Sequence, residues 1–359
     1  MVGKLWMVGV CALTLGVPAT NAWAQAEQEP EEQQPESTIR TADQRLNAVR
    51  GRGSVQDLRD GRAVVQQPEA AGTFTFLSGL ETGFTGVYEF TRAIEYTEQM
   101  GDDASSRETM SENVSMVLRV ASKGPRRDGM SGVLVSFDRY RARLETAEGP
   151  VSVDFDLTAD LPEDAEALTG AEAMLPKLKN TRVQMLVDAS GNVTSIEGLP
   201  DPADVFVDGA AGAELFSVLD QTQFAVLLSK LFNAEGGVER TSVIKPSGDN
   251  TWTTIEEVPM GPSGTLVVTR SWAPRVLTSG EIEARGTYGA SMNTPPTPND
   301  AAPVCEIASY QGVARMLWRE EGGLGYLNST EAIALAWTLG AETLRTAQES
   351  VTTINRLEE

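Results

Sequence analysis

The feature that most constrains this chain is an alternation of period two. It begins at Phe74 and returns, stretch after stretch, almost to the C-terminus. In residues 86–97, Tyr88, Phe90, Ile94 and Tyr96 fall on one face with Arg92 among them, and Glu89, Thr91, Glu95 and Thr97 fall on the other. Val114, Met116, Leu118 and Val120 repeat the pattern, as do Val133, Val135 and Phe137, then Val151, Val153 and Phe155. Successive side chains of a strand point to opposite faces, so each stretch reads as a strand with one face buried and one face wet. Gly101-Asp102-Asp103, Gly124-Pro125 and Glu148-Gly149-Pro150 supply turn chemistry between them. The sequence predicts a meander of antiparallel strands.

Two helical inserts interrupt it. The first is expected near residues 161–179, where Pro162 suits a first helical position and Glu163, Asp164 and Glu166 complement the helix dipole. A hairpin follows, with Val183, Met185 and Val187 on one side and Val193 and Ile196 on the other, turning through residues 188–192. The second insert is expected near residues 203–233. Asp220, three residues before Gln223, predicts a capped helix start. Phe224, Leu227, Leu228, Leu231 and Phe232 then follow helical spacing. Strands resume with Leu266, Val268 and Trp272, and with Ile282, Ala284, Gly286 and Tyr288. In the last segment, Ile333, Leu335, Trp337 and Leu339 alternate as a strand does, although residues 340–350 would also pass as a helix. The expected fold class is mainly β (α+β), a large curled antiparallel sheet or open half-barrel with helical inserts covering one side. A sheet of about ten strands tends to curl or close rather than stay flat. Residues 73–359 are expected to form one domain.

The preceding residues have a different character. Lys4, an apolar run from Leu5 to Gly16, Pro18 and the small-x-small Ala22-Trp23-Ala24 predict a signal peptide over residues 1–24, cleaved after Ala24. Residues 25–72 read as a linker, acidic and low in complexity up to residue 37, then arginine-rich. The protein is therefore expected in the periplasm or outside the cell. No later stretch approaches the roughly 20 apolar residues of a spanning helix, so it is not expected to be integral to the membrane after cleavage.

Composition then narrows the chemistry. The chain contains no histidine, which excludes Ser-His-Asp and Cys-His machinery and histidine-ligated metals. Its formal net charge of −22 argues against nucleic acid as a partner. No phosphate-loop, CxxC or GxSxG motif occurs, so no catalytic residue, cofactor or metal is assigned. Asp154 and Asp156 share a strand face but read as solvated charge, as do Glu256-Glu257 and Asp102-Asp103, placed in turns or at strand ends. Arg139, Arg141 and Arg143 share one face and are expected to pair with acids of neighbouring strands. Cys305, the one cysteine after the leader, reads as a small buried hydrophobe.

The candidate binding residues lie on the second insert: Phe216, Phe224, Leu227, Leu228, Leu231 and Phe232, the apolar side of a helix that either closes a lipid cavity as a lid or simply packs on the sheet. The expected function is that of an exported, non-enzymatic cell-envelope protein that binds a lipid-like ligand or another envelope protein on a curved sheet. The alternatives are a structural or interaction protein without a cavity, and a carboxylate-based hydrolase.

The strand around Tyr88-Glu89-Phe90, the hairpin beginning Arg182-Val183-Gln184-Met185-Leu186-Val187-Asp188, and the helical insert followed by further strands resemble a family of exported proteins of unknown function from planctomycete-like bacteria. That resemblance spans residues 84–359 and implies no catalytic residue. The layout is also similar to the open-barrel lipoprotein-carrier fold of periplasmic lipid chaperones, a similarity of element order.

Overall fold

The computed structural model describes residues 74–77 and 80–358, apart from 127, 164, 166–167, 189–190, 203–204, 207–212, 234–240, 245–250, 261–262 and 294–302. The expected leader and the linker lie outside the described residues.

The strands are β1 (Phe74–Leu77), β2 (Thr85–Met100), β3 (Glu108–Pro125), β4 (Ser131–Thr146), β5 (Gly149–Asp156), β6 (Val183–Val187), β7 (Val193–Glu197), β8 (Thr241–Ile244), β9 (Trp252–Pro259), β10 (Thr265–Val276), β11 (Ile282–Asn293), β12 (Val304–Trp318), β13 (Leu324–Leu339) and β14 (Glu342–Leu357). Two α-helices are described, α1 (Met174–Asn180) and α2 (Gln221–Phe232), the latter preceded by a 3-10 segment, Ala213–Leu219. Twelve strands form one open antiparallel sheet, eleven of them in the order β7-β6-β4-β3-β2-β14-β13-β12-β11-β10-β9 and the twelfth, β5, paired with β4 off that path. β5 and β6 share one edge of β4, β5 along Arg139–Thr146 and β6 along Ser131–Val135. β1 and β8 pair separately. This is the expected mainly-β class, and the final segment is a strand hairpin rather than a helix, turning at residues 340–341.

The sheet is two meanders joined by one long pairing. β2 and β14 run side by side from Val87 opposite Leu357 to Met100 opposite Leu344. This contact between the two ends of the described chain sets the order of everything else.

The alternation holds within each strand, with one informative break. Val133, Val135 and Phe137 of β4 are buried, yet beyond Asp138 the buried residues are Tyr140, Ala142 and Leu144. The register slips between Val117 and Leu118 of β3, opposite Arg139 and Phe137, which leaves Asp138 as a bulge. One extra residue exchanges the two faces for the rest of the strand. Arg139, Arg141 and Arg143 are thereby sent outward. The first two bridge Asp154 of β5 at 3.1 and 2.5 Å, the cross-strand pairing expected of them, whereas the third bridges Glu145 of its own strand at 2.6 Å.

The first insert differs from expectation. Pro162 closes only a turn, accepting from the Ala165 amide, and the helix begins at Met174. A favourable dipole end does not offset helix nucleation without an apolar stripe to bury. Met174 and Leu178, four residues apart and both buried, supply that stripe.

In the second insert, of which residues 203–204 and 207–212 lie outside the described residues, the helix starts at the expected cap. Asp220 caps α2 by accepting from the amides of Thr222 and Gln223. One flank of α2 is tied to β7: Gln221 donates to the Ile196 carbonyl at 3.0 Å, Ser229 Oγ accepts from the Val193 amide at 3.0 Å, and Asn233 donates to Asn192 at 2.9 Å. Gly191, with φ of +87°, allows this approach, because a Cβ there would lie 2.5 Å from the Phe232 carbonyl oxygen. Gln223, Leu227 and Lys230, on another side of the same helix, share a cleft with residues of β13, β11 and β10. A 12-residue helix is about 18 Å long. To meet both β7 and β13, six places apart in the order, the sheet must curl around it.

Candidate ligand-binding cleft

Register places one line of inner-face residues across the sheet: Arg270, Tyr288, Gly312, Glu331, Ser350, Ile94 and Glu112. The line beside it runs Trp272, Gly286, Ala314, Ser329, Thr352, Arg92 and Val114. Between them these lines put four charged residues, a tyrosine and three hydroxyls on a face whose other positions are mostly apolar. A cleft opens here against α2, lined by Arg92, Arg270, Glu331 and Lys230 together with Gln223, Tyr288, Ser329, Ser350 and Thr352, and by the apolar Phe90, Val218 and Leu227. It encloses about 40 Å3.

Arg92, Arg270 and Glu331 are each held by a named partner. Arg92 donates from Nη2 to Glu112 at 2.7 Å, and Glu112 also accepts from Ser217 Oγ at 3.1 Å. Arg92 and Glu112 are both buried, and among the described residues nothing accepts from Arg92 Nε. Arg270 bridges Glu256 of β9 at 2.6 Å and lies over the Tyr288 ring, 5.1 Å from its centroid. Glu256 is therefore not a turn residue, as the sequence suggested. It sits mid-strand on the inner face because Val258, two residues on, has the same parity. Tyr288 Oη lies 3.2 Å from Ser329 Oγ. Its ring crosses the bare backbone of Gly312, where a Cβ would come within 2.4 Å of the ring, so this position requires glycine.

Glu331 accepts from Tyr310 Oη at 2.8 Å. Burial raises its pKa above the ordinary carboxylate value, opposed by Arg270, by the Tyr310 hydrogen bond and by Lys230. Burial likewise pushes the Tyr310 hydroxyl up, so it stays protonated and donates.

Of the six residues proposed on the helix, only Leu227 lines this cleft. Phe216, Phe224, Leu228, Leu231 and Phe232 belong to the packed core. Phe224 stacks on Phe137 at 5.7 Å, and Phe216 stacks on Tyr140 and Phe155 at 5.2 and 6.3 Å. Arg92 was visible in the sequence as a charge at an apolar position. Arg270 and Glu331 carry the same signal, since each shares parity with apolar neighbours, Val268 and Trp272 for one and Ile333 for the other.

The remaining candidates stand elsewhere. Asp154 is exposed, and its carboxyl is held below the usual range by the Arg141 and Arg139 guanidiniums. Cys305 is buried in a second apolar cluster with Val258, Leu266, Val268, Ile333 and Leu335, and burial pushes its thiol up to about 12. Among the described residues no three His, Cys, Asp or Glu side chains gather as a metal site, and no helix is long and apolar enough to cross a membrane.

The class these observations define is an open, curled antiparallel sheet wrapped on a helix, with a charged cleft on its inner face. No family model and no curated protein matches the chain. Among solved structures it is similar to lipovitellin, described for its lipid–protein interactions, with a TM-score of 0.40 and 12% identity over 78% of this chain. The chain spans 25% of that protein. It is also similar to DynF of the dynemicin pathway of Micromonospora chersina (TM-score 0.20, 8% identity, 83% of this chain and 94% of that one). A third similarity is to OpdQ of Pseudomonas aeruginosa (TM-score 0.20, 9% identity, 76% and 99%). Likenesses at these TM-scores carry no functional argument.

Proposed function

We propose that this chain is an exported, non-enzymatic binding protein of the cell envelope that holds a lipid-like amphiphile on the inner face of its curled sheet. The observation that carries this reading is the cleft beside α2, where a polar belt interrupts an apolar face and meets Phe90, Val218 and Leu227. A site with apolar and hydrogen-bonding walls suits a ligand of mixed character. The element order shared with open-barrel carriers agrees with it.

In this reading α2 is a fixed wall. The cleft encloses about 40 Å3, far below the several hundred of a preformed lipid pocket. Swinging α2 away would expose Phe224, Leu227, Leu228, Leu231 and Phe232, all buried. At about 1.5–3 kcal/mol each, that costs about 8–15 kcal/mol. A micromolar to nanomolar ligand supplies only about 8–12 kcal/mol in total. The amphiphile therefore inserts its polar end beside the helix and leaves the helix seated.

A carboxylate hydrolase needs two acids facing one cleft. Glu331 is the one acid among the described lining residues, and Glu256 is engaged with Arg270. The test is native mass spectrometry of the exported chain, purified from an envelope and compared with the denatured chain. A lipid-sized excess mass lost on denaturation supports the reading. A bare-chain mass together with no uptake of added amphiphile refutes it.

A further inference from the structure

We propose that the outer face of the sheet carries an oxyanion site, formed by Arg275, Arg285 and Arg315, that takes a phosphoryl group borne by a small molecule. The site lies on the face opposite the cleft and stands independently of the binding reading above. Register brings the three arginines together on adjacent strands. Arg275 of β10 faces Glu283 of β11, and Arg285 of β11 faces Arg315 of β12. Like charges directly opposite on neighbouring strands are destabilising, so this arrangement favours an anion between them. The whole chain has 29 basic residues against 51 acidic ones, so three cations gathered around one acid run against the overall balance.

One buried carboxylate builds the site. The Glu283 side chain has no exposed surface, and its two oxygens hold two different guanidiniums. Arg275 Nε donates to Oε2, and Arg315 Nε donates to Oε1 at 2.6 Å. Arg285 Nε lies 4.0 Å from Oε2. A guanidinium has five N–H donors, so a bond from Nε leaves the Nη groups of Arg275 and Arg315 for another acceptor. Glu283 is the acid these two pair with among the described residues. Arg315 also lies over the Tyr326 ring, 6.0 Å from its centroid, which limits how its plane turns. The side chains of Arg275, Arg315 and Arg285 are 32%, 38% and 47% exposed, so a solute reaches all three. Glu283 therefore fixes the cluster without neutralising it. Arg275 and Arg315 alone exceed its single charge, and with Arg285 the four side chains sum to three positive against one negative.

The number of oxygens decides among anions. A guanidinium fork binds carboxylate or phosphate oxygens in pairs, so one fork satisfies both oxygens of a carboxylate. These guanidiniums come from three strands, and an anion that meets them together needs an oxygen for each. A terminal phosphoryl group has three, and its charge of about −1.5 to −2 at pH 7 matches the local surplus. The net charge of −22 repels extended polyanions, so the carrier is a small molecule rather than a nucleic acid or an anionic membrane.

The test is titration calorimetry of the full chain, in phosphate-free buffer at low salt, with phenyl phosphate, inorganic phosphate and benzoate. Phenyl phosphate is expected to bind at least about tenfold tighter than benzoate, the scale of one further hydrogen bond to a charged group. Inorganic phosphate that binds as tightly as phenyl phosphate assigns the free ion as the source, and a preference for phenyl phosphate assigns an organic ester; either supports the site. Arg285→Gln leaves both Glu283 hydrogen bonds in place, so the melting temperature is expected to hold. The same variant is expected to weaken phenyl phosphate binding about fivefold, the upper range for an exposed ion pair. Benzoate that binds as tightly as phenyl phosphate overturns the phosphoryl assignment. No binding of either phosphate overturns the site itself. An Arg285→Gln protein with unchanged phosphate affinity puts the anion elsewhere and overturns it as well.

Discussion

The Arg92–Glu112 pair tests whether the polar belt is held as described. Its two side chains are each 7% exposed, and they meet at 2.7 Å on the inner faces of adjacent strands. Arg92→Met keeps the length of the side chain and removes its charge. It leaves Glu112 buried with Ser217 as its remaining described partner. Breaking a buried pair by removing one partner costs about 3–5 kcal/mol, because the survivor stays desolvated. A domain of this kind has about 5–15 kcal/mol in all, so the single variant gives up a large fraction of its stability. Replacing both, as Arg92→Met with Glu112→Leu, removes the stranded charge, and such replacements run from neutral to about 4 kcal/mol stabilising. The double variant should therefore be more stable than the single one. Urea unfolding reports this through Trp272 and Trp318, both fully buried, once circular dichroism shows the same midpoint. The four proteins form a double-mutant cycle, with an expected coupling of about 3 kcal/mol or more. A loss under about 1 kcal/mol for the single variant, or a double variant no better than it, would refute the reasoning.

Three further outcomes follow from the geometry. Burial alone would raise the pKa of Glu283 on the outer face, but Arg275, Arg315 and Arg285 around it hold the carboxyl below its ordinary value. A depressed carboxyl stabilises the fold above its unfolded pKa of about 4.3 and loses that contribution as pH falls through the folded value. The melting-temperature gap between wild type and Glu283→Gln should therefore be widest above about pH 5 and close under acid, and a gap that stays constant counts against it. Asp220→Ala removes the two cap bonds of α2 and should cost about 1 kcal/mol in urea unfolding, whereas a change under about 0.3 would show the cap idle. Gly312→Ala puts a methyl 2.4 Å from the Tyr288 ring, and overpacking of this kind costs about 1–3 kcal/mol; an unchanged midpoint would mean that the ring moves freely.

The alternation revealed each strand's inner face but not its neighbour. Parity alone showed Arg92 as a charge among Tyr88, Phe90 and Ile94, yet its partner Glu112 lies 20 residues away and required the β2–β3 register. Arg270 and Glu331 carried the same local mark, and what brings them near Arg92 is the pairing of β14 with β2, a contact between strands far apart in sequence that no local pattern encodes. The Asp138 bulge was hidden because Arg139, Arg141 and Arg143 continue the parity of Val133 unless one residue is skipped. Asp220, by contrast, announced its helix because a cap is a local device.

The central claim is that an amphiphile sits in the inner-face cleft beside α2. Photolabelling with a decanoate bearing a diazirine near its carboxyl end, followed by peptide mass spectrometry, tests it most directly. The account predicts labels on Phe90, Val218 or Leu227, competed away by unlabelled decanoate. Labels confined to exposed apolar side chains such as Ile255 and Val313, or labelling that decanoate does not compete, would contradict it.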